Sequence, residues 1–339
     1  MNTAKHIKTS TNLNFVGKPV RKSCPNSGKS YLEYNGIAVN LATDWIPITG
    51  SWSDIFEIVA VHGHPIAPPI FKNNYRITDH FITSQIVMVD VDHGMTLEDL
   101  ANDELYNEYG AGYYTTASHT DQDQRFRIVF ILEHPITDPD NFIKLNAGLI
   151  RHYGGDKACK DPARLFYGCV NAAHAECKNN ILPTDIINGI IDMVRKEEEQ
   201  RQRNIAIIHE QYKDHQLLDS DKRVIVELLR GTFIGDYVVW RSIAWAMKNS
   251  GFELADFIDV TSGMMREKSV DDAKLIWSKG IEHTNKLTMG TILYTLFAHY
   301  GKELVLSQLK LQKIEGQLAV IRQRLAHIQQ PRQHNSMER

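Results

Sequence analysis

The feature that most constrains this chain is a change of period at Leu182-Pro183. Before it, apolar residues fall in short β-rich runs at 37–41, 55–61, 86–92, 113–118 and 125–132, with helical stretches at 96–109 and 141–153. Strands interleaved with helices build a sheet domain of the α/β or α+β kind. After it, nearly everything from 219 to 300 reads as helix punctuated by glycine, and Ser269 with Asp272 makes a cap-like pair. The two halves have different cores, and a chain of 339 residues is long enough for both, since single cores seldom grow past about 250 residues.

The expected fold class is therefore α/β or α+β: a sheet domain flanked by helices, then a small all-α domain, then an amphipathic C-terminal helix. The expected boundaries are a flexible basic arm at 1–30, the sheet domain at 31–185, a charged helical linker at 186–215, the helical domain at 216–303, and an amphipathic helix with a basic tail at 304–339. The linker carries the run RKEEEQRQR, and Leu311, Ile314, Leu318, Ile321, Leu325 and Ile328 form an a/d seam. That seam predicts pairing with another helix, including a homo-oligomer through 311–328.

Charge and hydropathy narrow the function classes. Net charge is −3, yet residues 1–32 hold Lys5, Lys8, Lys18, Arg21, Lys22 and Lys29 with no acid. Such a local excess suits phosphate contact or a solvated arm. No apolar run reaches the roughly 18 residues of a membrane helix, and the first residues hold no apolar signal region. The expectation is a cytoplasmic protein with no membrane partner. Four cysteines are too few for a disulfide scaffold in a chain of this length.

The chemistry centres on QIVMVDVDHG. A strand alternates faces, so Asp90 and Asp92 project one way and Val87, Val89 and Val91 the other. Two adjacent carboxylates repel unless a cation lies between them, and hard oxygen ligands suit Mg²⁺ or Mn²⁺ held together with substrate phosphates. The bland reading of a bare Asp-x-Asp is a solvated strand end. Against it stands a second strand ending at His119, a polar turn, and a returning strand in which Arg125 and Arg127 share a face. Arginine forks and an imidazole donor complement a polyphosphate. In DKACKDPARLFYG, Asp161 is a candidate third carboxylate with Asp156 as its competitor, Arg164 a further phosphate contact, and Arg164-Leu-Phe-Tyr a short strand.

In that order, VMVDVDHG, TTASHT with RFRIVF, and DPARLFYG resemble the motifs of the archaeo-eukaryotic primase superfamily, most of all the primase-polymerases of prophages and plasmids. The resemblance covers roughly residues 50–182, and His93 stands where asparagine is more usual. It implies an α+β fold, a primase catalytic core with a mostly antiparallel sheet flanked by helices, whose second half is like an RNA-recognition sheet. It also implies that Asp90, Asp92 and Asp161 ligate two ions of Mg²⁺ or Mn²⁺, that His119 contacts the phosphates of the incoming nucleotide, and that Ser118 belongs to the nucleotide site. Trp240, Trp245, Gly251, Trp277, Gly280 and TMGTILYTL are similar to the small helical domain that follows such cores, although core packing explains the tryptophans equally simply. The partners so implied are single-stranded DNA template, NTPs or dNTPs and a separate replicative helicase, since the chain has no Gly-x-x-x-x-Gly-Lys-Ser/Thr loop.

Cys159, Cys169, His174 and Cys177 lie close enough in sequence to suggest Zn²⁺, but without a Cys-x-x-Cys pair. Rival functions remain open at this stage. A replication initiator, binding DNA or nicking it through Tyr113 or Tyr114 beside His62-Gly63-His64, leaves Asp-x-Asp unexplained. A sugar transferase leaves the His119 hairpin unexplained, and a catalytically inert primase-like adaptor leaves the full residue set unexplained.

Overall fold

The computed structural model describes residues 6–23, 30–212, 215–232, 236–264, 269–279, 287–309 and 312–313. The chain divides into two compact units, Met1–Glu198 and Glu199–Arg339, each with its own hydrophobic core. The first is a mostly antiparallel α+β unit and the second is helical.

In the first unit, β1 (Ile7–Thr11) leads into a meander of β2 (Val20–Ser23), β3 (Ser30–Tyr34) and β4 (Ile37–Val39). Then come β5 (Ile46–Gly50), α1 (Trp52–Ala60), β6 (Ile66–Ala67), β7 (Pro69–Phe71) and the long β8 (Phe81–Val91). Two short helices, α2 (Leu97–Ala101) and α3 (Glu104–Tyr109), precede β9 (Gly110–Thr115) and β10 (Phe126–Ile136). Finally α4 (Pro139–Tyr153), β11 (Ala175–Cys177), β12 (Ile181–Leu182) and α5 (Thr184–Tyr212) follow. The main sheet runs β11-β9-β10-β8-β7, with β12 pairing β10 in parallel, and a smaller sheet runs β5-β1-β6.

Helices cover both faces of the main sheet. Phe81 and Phe130 meet Phe142 and Tyr153 of α4 at ring distances of 5.6 and 5.9 Å. On the opposite face Tyr114 meets Phe56 of α1 at 6.3 Å. β8 and β10 are therefore apolar on both sides for most of their length, as strands covered twice must be. Asp90 and Arg127 are the charged residues of these strands that are nonetheless buried.

Several local expectations differ from the structure. Residues 55–61, read as a strand, lie mostly in α1: Ser51 and Asp54 form a reciprocal capping box, and Trp52, Ile55, Phe56, Val59 and Ala60 make one buried helical stripe. The stretch 96–109 is two helices because Asp103 caps a new one at Tyr106. Residues 164–167 form no strand, only an isolated bridge from Phe166 to Ile66. The basic arm at 1–30 is not simply a free tail. Thr9, Ser10 and Thr11 are fully buried in β1, where Thr9 and Thr11 hydroxyls donate to the Ala67 and Pro65 carbonyls at 3.0 and 2.7 Å. Satisfied hydroxyls allow a polar-looking sequence to enter a core. The linker at 186–215 lies largely within α5, which is continuous to Tyr212.

The second unit holds α6 (Asp219–Gly231), α7 (Tyr237–Asn249), α8 (Leu254–Met264), α9 (Val270–Lys279), α10 (Met289–Tyr300) and α11 (Lys302–Gln308). Its tryptophans pack the core: Trp240 lies against Phe257, which stacks on Trp277, and the Trp245 indole donates to the Ile276 carbonyl at 3.1 Å. The 311–328 seam lies outside the described residues apart from 312–313.

Candidate functional site

The site is built on one row of the main sheet. Asp90 on β8, Arg127 on β10 and Tyr114 on β9 are direct cross-strand neighbours. Arg127 Nε donates to Asp90 Oδ1 at 2.9 Å, and its Nη1 donates to the Tyr167 carbonyl. The guanidinium also lies 5.7 and 5.9 Å from the ring centroids of Tyr114 and Phe166. Asp90 is 7% exposed and Arg127 8%. Burial works against the charge on Arg127, and Tyr114 and Asp90 overcome it, so its pKa is raised.

Just past the ends of these strands Asp92 and Arg125 lie near one another, with the Thr116 N–H donating to the Arg125 carbonyl at 3.0 Å. Asp90 and Arg127 thus meet within the antiparallel ladder, and Asp92 and Arg125 follow just past its end. The two pairs differ in how their charges are used. Arg125 grips Asp123 through Nε and Nη2 at 2.9 and 2.7 Å. That hydrogen bond, with Asp92 and Asp90 nearby, raises the Arg125 pKa. Asp123 also meets His93 Nδ1 at 3.3 Å. The Asp92 carboxylate has no hydrogen bond or ion pair among the described residues.

A cleft of about 560 Å³ opens at this end of the sheet. Its wall includes three acids, Asp90, Asp92 and Asp161, and five cations, Lys18, Arg76, Arg125, Arg127 and Arg164, together with Thr116, Ala117 and Ser118. Asp161 therefore reaches the same cleft as the Asp-x-Asp pair. Its Oδ1 accepts from Thr78 Oγ1 and the Ala163 N–H, both at 2.9 Å. Asp156 is not in the wall. It caps the 3-10 turn Lys157–Lys160 through the Ala158 N–H and holds Arg164 Nη2 at 3.0 Å.

His119 lies beside the cleft wall rather than in it, next to Ser118. Its Nδ1 accepts the Arg125 backbone N–H at 3.1 Å. A neutral imidazole that accepts at Nδ1 carries its proton on Nε2, so the hairpin presets His119 as an Nε2–H donor. The His119 ring meets His174 at 5.5 Å, and with Asp121 these form the one group of three candidate ligands within 4.8 Å of one another among the described residues. Asp90, Asp92 and Asp161 share a cleft without closing to that distance. A metal on His119 Nε2 would need the proton moved to Nδ1, facing the Arg125 N–H, which argues against metal ligation there.

The zinc expectation is not met. Cys159, Cys169, His174 and Cys177 do not come together as ligands. Cys159 is buried on the 3-10 turn with its thiol pushed up to about 12, and burial also raises the Cys169 thiol. Both changes disfavour the thiolate that zinc requires. The His62-Gly63-His64 segment has a structural role. His62 Nε2 lies 3.4 Å from Glu57 and His64 Nδ1 3.1 Å from the Phe15 carbonyl. A Cβ on Gly168 would lie 2.3–2.6 Å from Gly63 and His64 backbone atoms, so this contact needs glycine. Tyr114 is fully buried and its phenol is pushed up to about 12 by burial, unsuitable for a nicking nucleophile.

Sequence reading missed Arg76 as part of the site. Its guanidinium donates to the Leu41 and Ala163 carbonyls and lies 5.2 Å from the Trp45 ring centroid. It occupies a polar turn, with no periodic pattern to mark it.

No protein-family model and no curated protein matches the chain. Among solved structures, the chain is similar to the AEP domain of the cyanophage S-2L primase-polymerase at 10% identity and a TM-score of 0.30, covering 56% of this chain and 89% of that one. It is also similar to the primase RepB' at 12% identity and a TM-score of 0.30, covering 88% of this chain and 92% of that one. At those values the cleft, and not the likeness, carries the functional reading.

Proposed function

We propose that the sheet unit is a DNA-templated nucleotidyltransferase of the primase or primase-polymerase kind, serving the replication of a phage, prophage or plasmid. The observation that carries this reading is that Asp90 and Arg127, paired across β8 and β10, share the wall of one cleft with Asp92 and Arg125. A site that handles nucleoside triphosphates needs carboxylates for cations and guanidinium groups for phosphate oxygens.

The donor set fits Mg²⁺ or Mn²⁺. The Asp92 carboxylate has no hydrogen bond or ion pair among the described residues, and Asp90 keeps an oxygen beyond the one that takes Arg127 Nε. Asp90 and Asp92 would hold the ions, with Asp161 as the further carboxylate of the cleft. Bound divalent ions supply activation of an attacking 3′-hydroxyl and neutralisation of a triphosphate. The chain's own groups bind and orient. Arg125 and Arg164 rest on Asp123 and Asp156 and would exchange those carboxylates for phosphate oxygens. His119 would offer its Nε2–H to a phosphate, with Ser118 beside it. Arg127 holds Asp90 rather than substrate. No protein nucleophile is needed, because the attacking group belongs to a nucleotide. A separate helicase is the partner this reading calls for.

The test is incubation with single-stranded templates, labelled NTPs or dNTPs and Mg²⁺ or Mn²⁺, with and without primer. Incorporation that requires template and metal is expected. No incorporation with either metal and either nucleotide class, by a folded preparation, defeats the proposal.

A further inference from the structure

We infer that the β2-β3-β4 meander is a docking surface for a single nucleic-acid strand that enters or leaves the cleft. This rests on the nucleotidyltransferase reading for its ligand and on independent geometry for its location. Both ends of the meander are anchored in the cleft wall, by Lys18 before β2 and Leu41 after β4. Between those anchors the three strands pair in register, Lys22 opposite Tyr31 and Arg21 opposite Leu32. All four residues of β2 are exposed.

An exposed sheet this small is a poor structural element by itself, because three strands need an apolar face against something to be stable. Here apolar surface stays in water: Val20 is 63% exposed, Ile37 71% and Tyr31 39%. Cations accompany it. The described part of 18–39 holds Lys18, Arg21 and Lys22 against one acid, Glu33. Lys22 pairs with Glu33, whereas Arg21 has no ion pair among the described residues. Single-strand binding surfaces combine aromatic stacking platforms with cations that follow the backbone. Val20, Lys22 and Tyr31 share one face by strand alternation, and Arg21 projects from the opposite face of the same strand, so a nucleic-acid strand wrapping this sheet edge meets both. Continuity with the cationic cleft makes a nucleic-acid strand a better occupant than a protein.

The experiment uses the full chain and a fluorescent single-stranded oligodeoxynucleotide, with affinity read by anisotropy across a salt series. Nucleotide incorporation by the unaltered protein and Mn²⁺ binding by every variant are measured in parallel. Arg21→Glu with Lys22→Glu should weaken strand binding about tenfold or more and lower the log–log salt slope by about 1.4, or ~0.7 per phosphate contact. Tyr31→Ala should weaken it about fivefold or more with an unchanged salt slope. Mn²⁺ binding should not change, since none of the three residues lines the cleft. All three side chains are exposed, so circular dichroism should report intact folding. Strand affinity equal to the unaltered protein in both variants overturns the inference, as does no strand binding by the unaltered protein. A protein docking there would give the first of those results. Failure of the unaltered protein to incorporate nucleotides, with strand binding still lost in the variants, defeats the catalytic reading and leaves the docking surface supported.

Discussion

Asp90 and Arg127 stand directly opposite one another on β8 and β10, with guanidinium Nε 2.9 Å from carboxylate Oδ1. The pair lies almost entirely out of water, and the Tyr167 carbonyl takes another guanidinium N–H. A buried pair of this kind adds little net stability, but removing one partner leaves an uncompensated charge. Arg127→Met should therefore destabilise the sheet unit by about 3 kcal/mol. Adding Asp90→Asn should recover about 1 kcal/mol or more of that loss. Urea unfolding of both singles and the double measures the coupling, and additive losses would contradict the observed pairing.

The two acids of Asp-x-Asp should separate in stability while agreeing in activity. From sequence alone, neutralising either one relieves repulsion and stabilises the protein without metal. The structure restricts that effect to Asp92, which has no hydrogen bond or ion pair among the described residues, because Asp90 balances Arg127. Asp92→Asn should leave the melting free energy unchanged or raised within about 1 kcal/mol, and Asp90→Asn should lower it by about 2 kcal/mol. Both should reduce nucleotide incorporation by more than about a hundredfold. Urea unfolding without metal and a primer-extension assay check the two halves of this expectation.

How much of this was legible in sequence depends on the kind of information each residue carries. Period-two alternation placed Asp90 with Asp92 and Arg125 with Arg127, and all four line the same cleft. Alternation does not give register, so it could not tell that Arg127 is committed to Asp90 while Arg125 rests on Asp123. α1 was misread because the apolar run at 55–61 suits a buried strand and a buried helix alike. The deciding signal was the Ser51–Asp54 capping box just upstream. β1 escaped notice because it is polar in sequence, and its buried Thr9 and Thr11 hydroxyls are satisfied by carbonyls far along the chain. The cysteines were close in sequence, but burial on one turn and placement at a sheet edge keep them apart as ligands.

Asp103 gives the sheet unit a measurable pH dependence. Its carboxylate caps α3 at the Tyr106 N–H and accepts from Tyr153 Oη at 2.9 Å, with His152 Nε2 at 2.7 Å. Burial works against the charge, but those hydrogen bonds win and its pKa is lowered. A carboxylate with a depressed folded pKa contributes stability above its unfolded value, and that contribution fades as pH falls through the folded value. Asp103→Asn should therefore cost about 1–2 kcal/mol at neutral pH, with the gap narrowing below about pH 4. Urea melts at pH 7, 5 and 3 measure it, and a gap that widens toward acid would reverse the assigned sign.

The fixed tautomer of His119 makes an expectation specific to one nitrogen. Because Nδ1 accepts the Arg125 N–H, the group offered to a ligand is the Nε2–H. Glutamine can place an amide N–H near the Nε2 position, whereas asparagine is too short to reach it. His119→Gln should retain more nucleotide affinity than His119→Asn, with KM rising about tenfold for asparagine. Equal losses in the two variants, or a rise in kcat effects without KM effects, would remove the phosphate-donor role.

The helical unit should matter most when a chain is started. Extending a primer needs one nucleotide and a template-paired 3′ end, and the cleft together with bound template could supply both sites. Starting a chain must immobilise two free nucleotides without the binding energy of an existing duplex, so its entropic cost is larger. An added binding surface gives the greatest return at that step. The division between compact units falls after Glu198. A chain ending at Glu198 should keep primer extension within about threefold and lose initiation by about a hundredfold or more. Parallel assays on primed and unprimed templates, with circular dichroism to establish folding, measure the split. Equal loss of both activities in a folded fragment would place part of the extension machinery beyond residue 198. Initiation by that fragment at the full-chain rate would assign the helical unit another task, of which docking a separate helicase is the one this reading favours.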